Sequence, residues 1–314
     1  MAQNIPRTTD DTPKPTELLD VAVVGGSFAG LTAALYLARG RKRLAVIDAG
    51  ETRNRAASSA HGFLGQDGRP PAEIRAAGLR DLLAYPEAVL IPGHVTTIHG
   101  GPDDFTLTLA DGGTLRARRV ILAHGVRDIL PDLPGLAQIW GQTAFQCPYC
   151  HGYELAGQPT GLLMSGAKVA EHAQFLTDWA PGLTVFDPDA NAEDMASLAA
   201  AGIPVIQSPV QRVEAEGARL RALHLADGRR IPLAVLYMVS RAEPASDLPQ
   251  QLGCKMETGP QGPYIATDMM KATSVPGVFA AGDLARPVFG AVFAAADGAM
   301  AGVACQRSLG LSAT

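Results

Sequence analysis

The chain has no basic stripe, no apolar run of membrane length, and only four cysteines in 314 residues. The formal net charge of −5 argues against a nucleic-acid partner, because phosphate binding asks for clustered Lys and Arg. The most apolar stretch, Gly290 to Cys305, is broken by Asp297 and rich in Gly and Ala, so it reads as a packed helix and not as a bilayer span. Residues 1–16 are polar, carry Asp10 and Asp11, and lack the apolar centre of a secretory signal. They are expected to form a disordered tail on a cytoplasmic protein. Four cysteines are too few for a disulfide framework in a chain this long. Cys254 and Cys305 stand alone and read as small buried hydrophobes, whereas Cys147 and Cys150 form a close pair. With 47% hydrophobic and 18% charged residues, the chain can bury the cores of two medium-sized domains.

One pattern occurs twice. Val21 to Val24 is an apolar, β-rich run that ends in Gly25-Gly26-Ser27-Phe28-Ala29-Gly30. Leu31 to Arg39 then follows helical periodicity, Gly40 stops it, and a second short strand, Leu44 to Ile47, is closed by Asp48. The plan returns as Gly161 to Met164, Ser165-Gly166, a helical run from Lys168 to Trp179, the break Pro181-Gly182, and Leu183 to Phe186 closed by Asp187. A hairpin signal follows each copy, with Asp111-Gly112 before the strand Val120–Ala123 and Asp227-Gly228 before Val235–Met238. Because Val278 to Asp283 carries one more strand-and-glycine signal, the second domain is expected to be inserted into the first. The fold class is therefore α/β, with two doubly wound dinucleotide-binding-type domains. The expected boundaries are 17–124 with 243–314 for the first domain and 125–242 for the second.

Gly25 and Gly30 hold the outer positions of a dinucleotide turn, and Ser27 replaces the middle glycine. Gly25 permits the tight turn, Gly30 the close helix–strand approach, and Ser27 is small enough for backbone N–H groups to reach a pyrophosphate. Asp48, about 20 residues on, can accept from a ribose hydroxyl. The run Cys147-Pro148-Tyr149-Cys150-His151-Gly152-Tyr153-Glu154 is the most informative in the chain. A C-x-x-C pair at a helix start can close a reducible disulfide, one thiolate being stabilised by its surroundings. C-x-x-C-H is also a haem attachment motif, half of a zinc site, or simple packing. Haem attachment wants export, and no second metal-binding pair exists, so no metal is expected.

Thr273-Ser274-Val275-Pro276-Gly277-Val278-Phe279-Ala280-Ala281-Gly282-Asp283 resembles the second FAD motif of the thioredoxin reductase group, and Ala123-His124-Gly125 resembles its A-T-G exit with His for Thr. The resemblance runs from about Leu18 to Leu309. It implies FAD held by Gly25, Gly26, Ser27, Ala29, Gly30, Asp48, Ala49, Ala123, Gly125, Gly282 and Asp283, the last on the ribityl chain. It implies that Cys150 faces the flavin, that Cys147 exchanges with the outside substrate, and that the protein is a homodimer. The family's acid after the pair is replaced here by His151, which titrates nearer neutral pH.

The second glycine turn, Met164-Ser165-Gly166-Ala167-Lys168-Val169, keeps one glycine of three. The next strand is followed by Asp187 and Asp189, where the family carries arginines for the NADPH 2′-phosphate. Two carboxylates repel that phosphate. What remains resembles the small-molecule dithiol oxidases of the gliotoxin and holomycin type, and so implies oxidation of a dithiol with O2 as final acceptor. That subgroup carries a histidine before the first cysteine and another near the C-terminus; here the first position is Gln146, and no histidine follows His224. Two rivals are a reductase that serves a thioredoxin-like protein from NAD(P)H or another donor such as ferredoxin, and a non-catalytic flavin redox sensor.

Overall fold

A computed structural model describes residues 17–311, so the tail expected over 1–16 lies outside the described residues. The chain divides into two compact units. The first runs through Arg55, takes up again over Ala72–Arg127, and closes from Ala242 onward; the second comprises Ala56–Pro71 and Asp128–Arg241.

The first unit is built on Leu18–Val24, whose β-branched side chains are covered on both faces, as a central parallel strand requires. Leu44–Asp48 pairs parallel on one side of it and Thr114–Leu122 on the other, with Ala88–Pro92 beyond Leu44–Asp48. The expected hairpin is present, with Asp104–Leu109 antiparallel to Thr114–Leu122. Val278–Ala280 pairs parallel with Val120 to Leu122. The last described strand thus completes the first sheet, and the second domain is inserted into the first.

Helix Phe28–Arg39 buries Leu31, Ala33, Ala34, Leu37 and Ala38 against this sheet, and the Gly40 N–H ends it on the Tyr36 carbonyl. The long helix Ala291–Leu311 crosses it at close range. A Cβ on Gly298 would lie 2.1 Å from the Ala29 carbonyl oxygen, so small residues set the helix separation.

The second unit is a five-stranded parallel sheet in the order Val205–Ile206, Thr184–Phe186, Thr160–Leu163, Val235–Met238, Ala144–Phe145. Helices Val169–Leu176 and Ala192–Ala200 accompany it, and Val210–Glu216, Arg219–Leu225 and Arg230–Pro232 form an antiparallel sheet beside it. The helix expected from Lys168 to Trp179 is shorter at both ends. Thr177 closes it, with its hydroxyl on the Gln174 carbonyl at 2.6 Å.

Against the expected first segment 17–124, Ala56–Pro71 groups with the second unit. This segment is a small loop pinched by the Ala60–Arg69 bridge, and the Gln142 side-chain amide donates to the Ala56 carbonyl. These local bonds, and not strand periodicity, decide where the loop belongs.

Candidate active site

In the first unit, strand Leu18–Val24 delivers the glycine turn directly to a helix N-terminus. Gly25 sits at φ +106°, and a Cβ there would lie 2.4 Å from the Ala123 carbonyl oxygen. A Cβ on Gly30 would lie 1.8 Å from the Gly25 carbonyl oxygen, so only glycine fits either position. Ser27 caps the helix in extended conformation without a side-chain bond to it. The helix's first N–H groups are therefore left to something other than a capping side chain, as an anion-binding turn requires.

Asp48 ends its strand beside this turn. Its carboxylate accepts the Gly26 N–H at 2.9 Å and pairs with Arg75, whose Nε also donates to the Gly26 carbonyl at 2.8 Å. Arg75 was not foreseen; it lies in helix Pro71–Leu83, and no motif marks it. Ala49 follows Asp48 and is exposed.

Gly282-Asp283 follows the strand Val278–Ala280. Burial pushes the Asp283 carboxyl up, while Arg53, 3.3 Å away, and the Gly290 N–H, 3.4 Å away, pull against it. Arg53 also lies 4.3 Å over the Phe289 ring, another arrangement without a sequence signal.

Between Ala123 and Gly125, the His124 side chain has both ring nitrogens buried and without a hydrogen-bond partner among the described residues. Burial pushes its pKa down to about 4.

In the second unit, Ala144–Phe145 leads into the cysteine pair. Cys147 is extended, Pro148 opens the single helical turn Pro148–His151, and the Gly152 N–H closes it on the Pro148 carbonyl at 2.7 Å. Cys147 is half-buried and Cys150 exposed. Both thiols raise the pKa of the buried Tyr237, but less than its burial does; together they carry it to about 12.

His151 stacks on Phe145 at 5.2 Å, and Phe145 packs edge-on to Tyr237. Burial lowers the His151 pKa, the neighbouring His61 adds to this, and Glu154 opposes it. The imidazole is therefore neutral and able to accept a proton at pH 7. Gln146 is tied into a structural network: its carbonyl lies 3.3 Å from the Ser240 hydroxyl, which bonds Asp128 at 2.9 Å. Tyr149, 69% exposed, meets Trp179 edge-on at 5.1 Å, and Phe175 joins them, giving an aromatic face beside the pair.

The second glycine turn is of another kind. Gly166 has φ +98° with open space around it, Val169 is fully buried in the core, and Asp187 is buried with one carboxylate oxygen unpartnered among the described residues. Cys254 and Cys305 are buried in the first unit and burial pushes both thiols up, which makes them inert.

A family model described as pyridine nucleotide-disulphide oxidoreductase matches residues 19–301. The chain belongs to this family. It is 32% identical over 305 residues to the thioredoxin reductase sirT of Leptosphaeria maculans, covering 91% of this chain and 92% of that one. To the thioredoxin reductase tcpT of Claviceps purpurea it is 30% identical, covering 85% and 87%. The crystal structure of an oxidoreductase from Agrobacterium tumefaciens superposes with a TM-score of 0.88 at 42% identity, covering 94% of this chain and all of that one.

As a pyridine nucleotide-disulphide oxidoreductase, the protein is a flavin-dependent disulfide oxidoreductase and binds FAD. The first unit fits that cofactor, with an uncapped helix start at a glycine cradle and an acid at each of its two expected places. Among the described residues, no helix is long and apolar enough to cross a membrane.

Proposed function

We propose that this enzyme oxidises a small-molecule dithiol to a disulfide through Cys147 and Cys150, with two electrons leaving by FAD to O2. The observation that carries the reading is Asp187, a buried carboxylate at the strand end where an NADPH 2′-phosphate would be received. The buried Val169 supports it, since it fills the position that a dinucleotide turn leaves to glycine. An exposed aromatic face beside the cysteines suits a small apolar substrate.

In the proposed reaction His151 takes a proton from one substrate thiol. The resulting thiolate bonds to Cys147 Sγ and breaks the Cys147–Cys150 bond, leaving Cys150 as a thiolate. The second substrate sulfur then bonds to the first and releases Cys147. Two electrons and two protons leave the dithiol for each disulfide made, and both pairs depart in H2O2. Bound FAD supplies the two-electron acceptor and its reactivity toward O2. Gly25, Gly26, Ser27, Ala29 and Gly30 would hold its pyrophosphate; Asp48 and Ala49 would border its ribose; Ala123, Gly125, Gly282 and Asp283 would border the rest. The cytoplasmic location and the homodimer are part of this reading and rest on the family resemblance.

The test is anaerobic flavin absorbance of the purified protein titrated in turn with dithiothreitol, NADPH and NADH. Dithiothreitol is expected to bleach the flavin, air to restore it with H2O2 formed, and Cys150→Ser to abolish bleaching. NADPH is expected to act at least about a hundredfold more slowly, a difference of about 2.7 kcal/mol. The relatives' name, thioredoxin reductase, favours a second reading, in which a thioredoxin-like protein is reduced at the pair. Rapid bleaching by NADPH or NADH would establish that one instead.

A further inference from the structure

His61 lies in the Ala56–Pro71 loop, about 90 residues before the cysteine pair in sequence, yet it stands beside His151. The two rings meet edge-to-face with centroids 6.5 Å apart. On its other sides His61 is held by polar groups: Nε2 is 3.0 Å from the Ser59 hydroxyl and 3.4 Å from Glu154 Oε1, and Nδ1 is 3.6 Å from Asp67 Oδ1. Exposure rises outward along this series. The His151 Nδ1 is buried without a partner among the described residues, the His61 side chain is 17% exposed, and that of Glu154 is 45% exposed. A buried base, a less buried imidazole and a partly exposed carboxylate thus stand together, with Glu154 within electrostatic reach of both rings.

We propose that His61, together with Glu154, passes protons between His151 and solvent, making a proton path from residues of the second unit alone. The proposal rests on the dithiol-oxidase reading, because in each turnover there the substrate's two thiol protons pass to solvent before two are taken up again in H2O2. In each half of the exchange His151 takes one thiol proton, His61 takes it from His151, and Glu154 delivers it to water; no electron moves in these transfers. His61 acts through His151 and is a positioning residue. The titratable groups around the path are Asp67 and Glu154 at His61, Glu154 again at His151, and Tyr237, which packs on the Phe145 ring that stacks on His151, with Cys147 and Cys150 acting on it. The path would do the work that Gln146 cannot, since an amide does not titrate and this one is tied to Ser240.

The test compares His61→Ala and Glu154→Gln with wild type as flavin-loaded full-length proteins. The first readout is the anaerobic rate of flavin bleaching by dithiothreitol across pH. His61→Ala is expected to slow bleaching about a hundredfold at pH 7, to recover toward wild type at high pH, and to be rescued by added imidazole, as a lost proton relay would be. Glu154→Gln, a partly exposed position that can be changed without disturbing the core, is expected to slow it about fivefold. The second readout needs neither turnover nor flavin chemistry: the pH dependence of iodoacetamide alkylation of the reduced pair, which should shift in both variants. Rates and alkylation profiles within about twofold of wild type would overturn the path, as would a loss equal at every pH and indifferent to imidazole. If dithiothreitol fails to bleach wild type while the alkylation profile still shifts, the oxidase reading falls and the proton path stands.

Discussion

The two units follow one plan of strand, turn, helix, strand and acid, and they differ at the turn. In the first, Gly30 cannot carry even a methyl group, because the Gly25 carbonyl oxygen occupies the space at 1.8 Å. In the second, the corresponding place is Val169, whose side chain is fully buried in that unit's core. The acids differ in the same sense. Asp48 is engaged by the Gly26 N–H and by Arg75, whereas one oxygen of the buried Asp187 has no partner among the described residues. The parallel sheet survives in both units, so it does not depend on the turn. What the turn adds is a place for a phosphate, which under the proposed reading only the first unit keeps.

The largest effect expected from breaking this contrast is at Gly30. Gly30→Ala forces the turn apart, because the atom in the way is backbone and cannot swing aside. The cost lies at or above the upper end of overpacking, about 3 kcal/mol or more, and the variant should lose its flavin. Flavin retained through gel filtration at the wild-type ratio, with an unchanged melting temperature, would show that the first turn is no tighter than the second.

The fold and the cysteine motif were legible because both are written in short, contiguous signals. The apolar runs at Val21–Val24 and Leu44–Ile47, with glycines between, can be read from spacing alone, and Cys147 to Glu154 is one unbroken motif. The surroundings of the site were not legible. Arg75 reaches Asp48 and Arg53 reaches Asp283 from segments with no periodic or motif signal of their own. The sequence marks His61, like His124, only as a histidine in a segment that could border the flavin, and the loop places it 6.5 Å from His151. Side chains gathered from distant segments leave no local pattern, and between its ends the Ala56–Pro71 loop has no ordered element beyond the Ala60–Arg69 bridge.

A second contrast concerns the polar group at the exit of each central sheet. In the second unit the Ser240 hydroxyl bonds Asp128 at 2.9 Å, whereas in the first both nitrogens of His124 are buried without a partner among the described residues. A group left this way is costly unless something else satisfies it, which is expected beside a cofactor site. With its pKa pushed down to about 4, His124 stays neutral in the folded protein where the unfolded chain, with a pKa of about 6.5, takes up a proton. Above pH 6.5 the difference has no effect; as pH falls from there toward 4 the unfolded state gains, and stability drops by up to about 3 kcal/mol. His124→Leu should flatten this part of the acid limb, as measured by urea melts of the flavin-free protein between pH 7 and 4. Parallel limbs for wild type and variant would mean that the ring protonates in place.

The smallest effect tests the looser turn. Gly166 adopts φ +98°, which disfavours a side chain, but a Cβ there would meet nothing within 4 Å. Gly166→Ala should therefore cost only backbone strain, about 1–2 kcal/mol, with no clash added. Because the first unit would hold the cofactor, flavin content and the rate of bleaching by dithiothreitol should stay at wild-type values. A melting temperature lowered by a few degrees with bleaching untouched would separate the two turns, one necessary for the cofactor and one kept for the fold. A large loss of dithiol-driven bleaching in Gly166→Ala would show instead that the second turn still takes part in the reaction, and the argument from Asp187 would have to be abandoned.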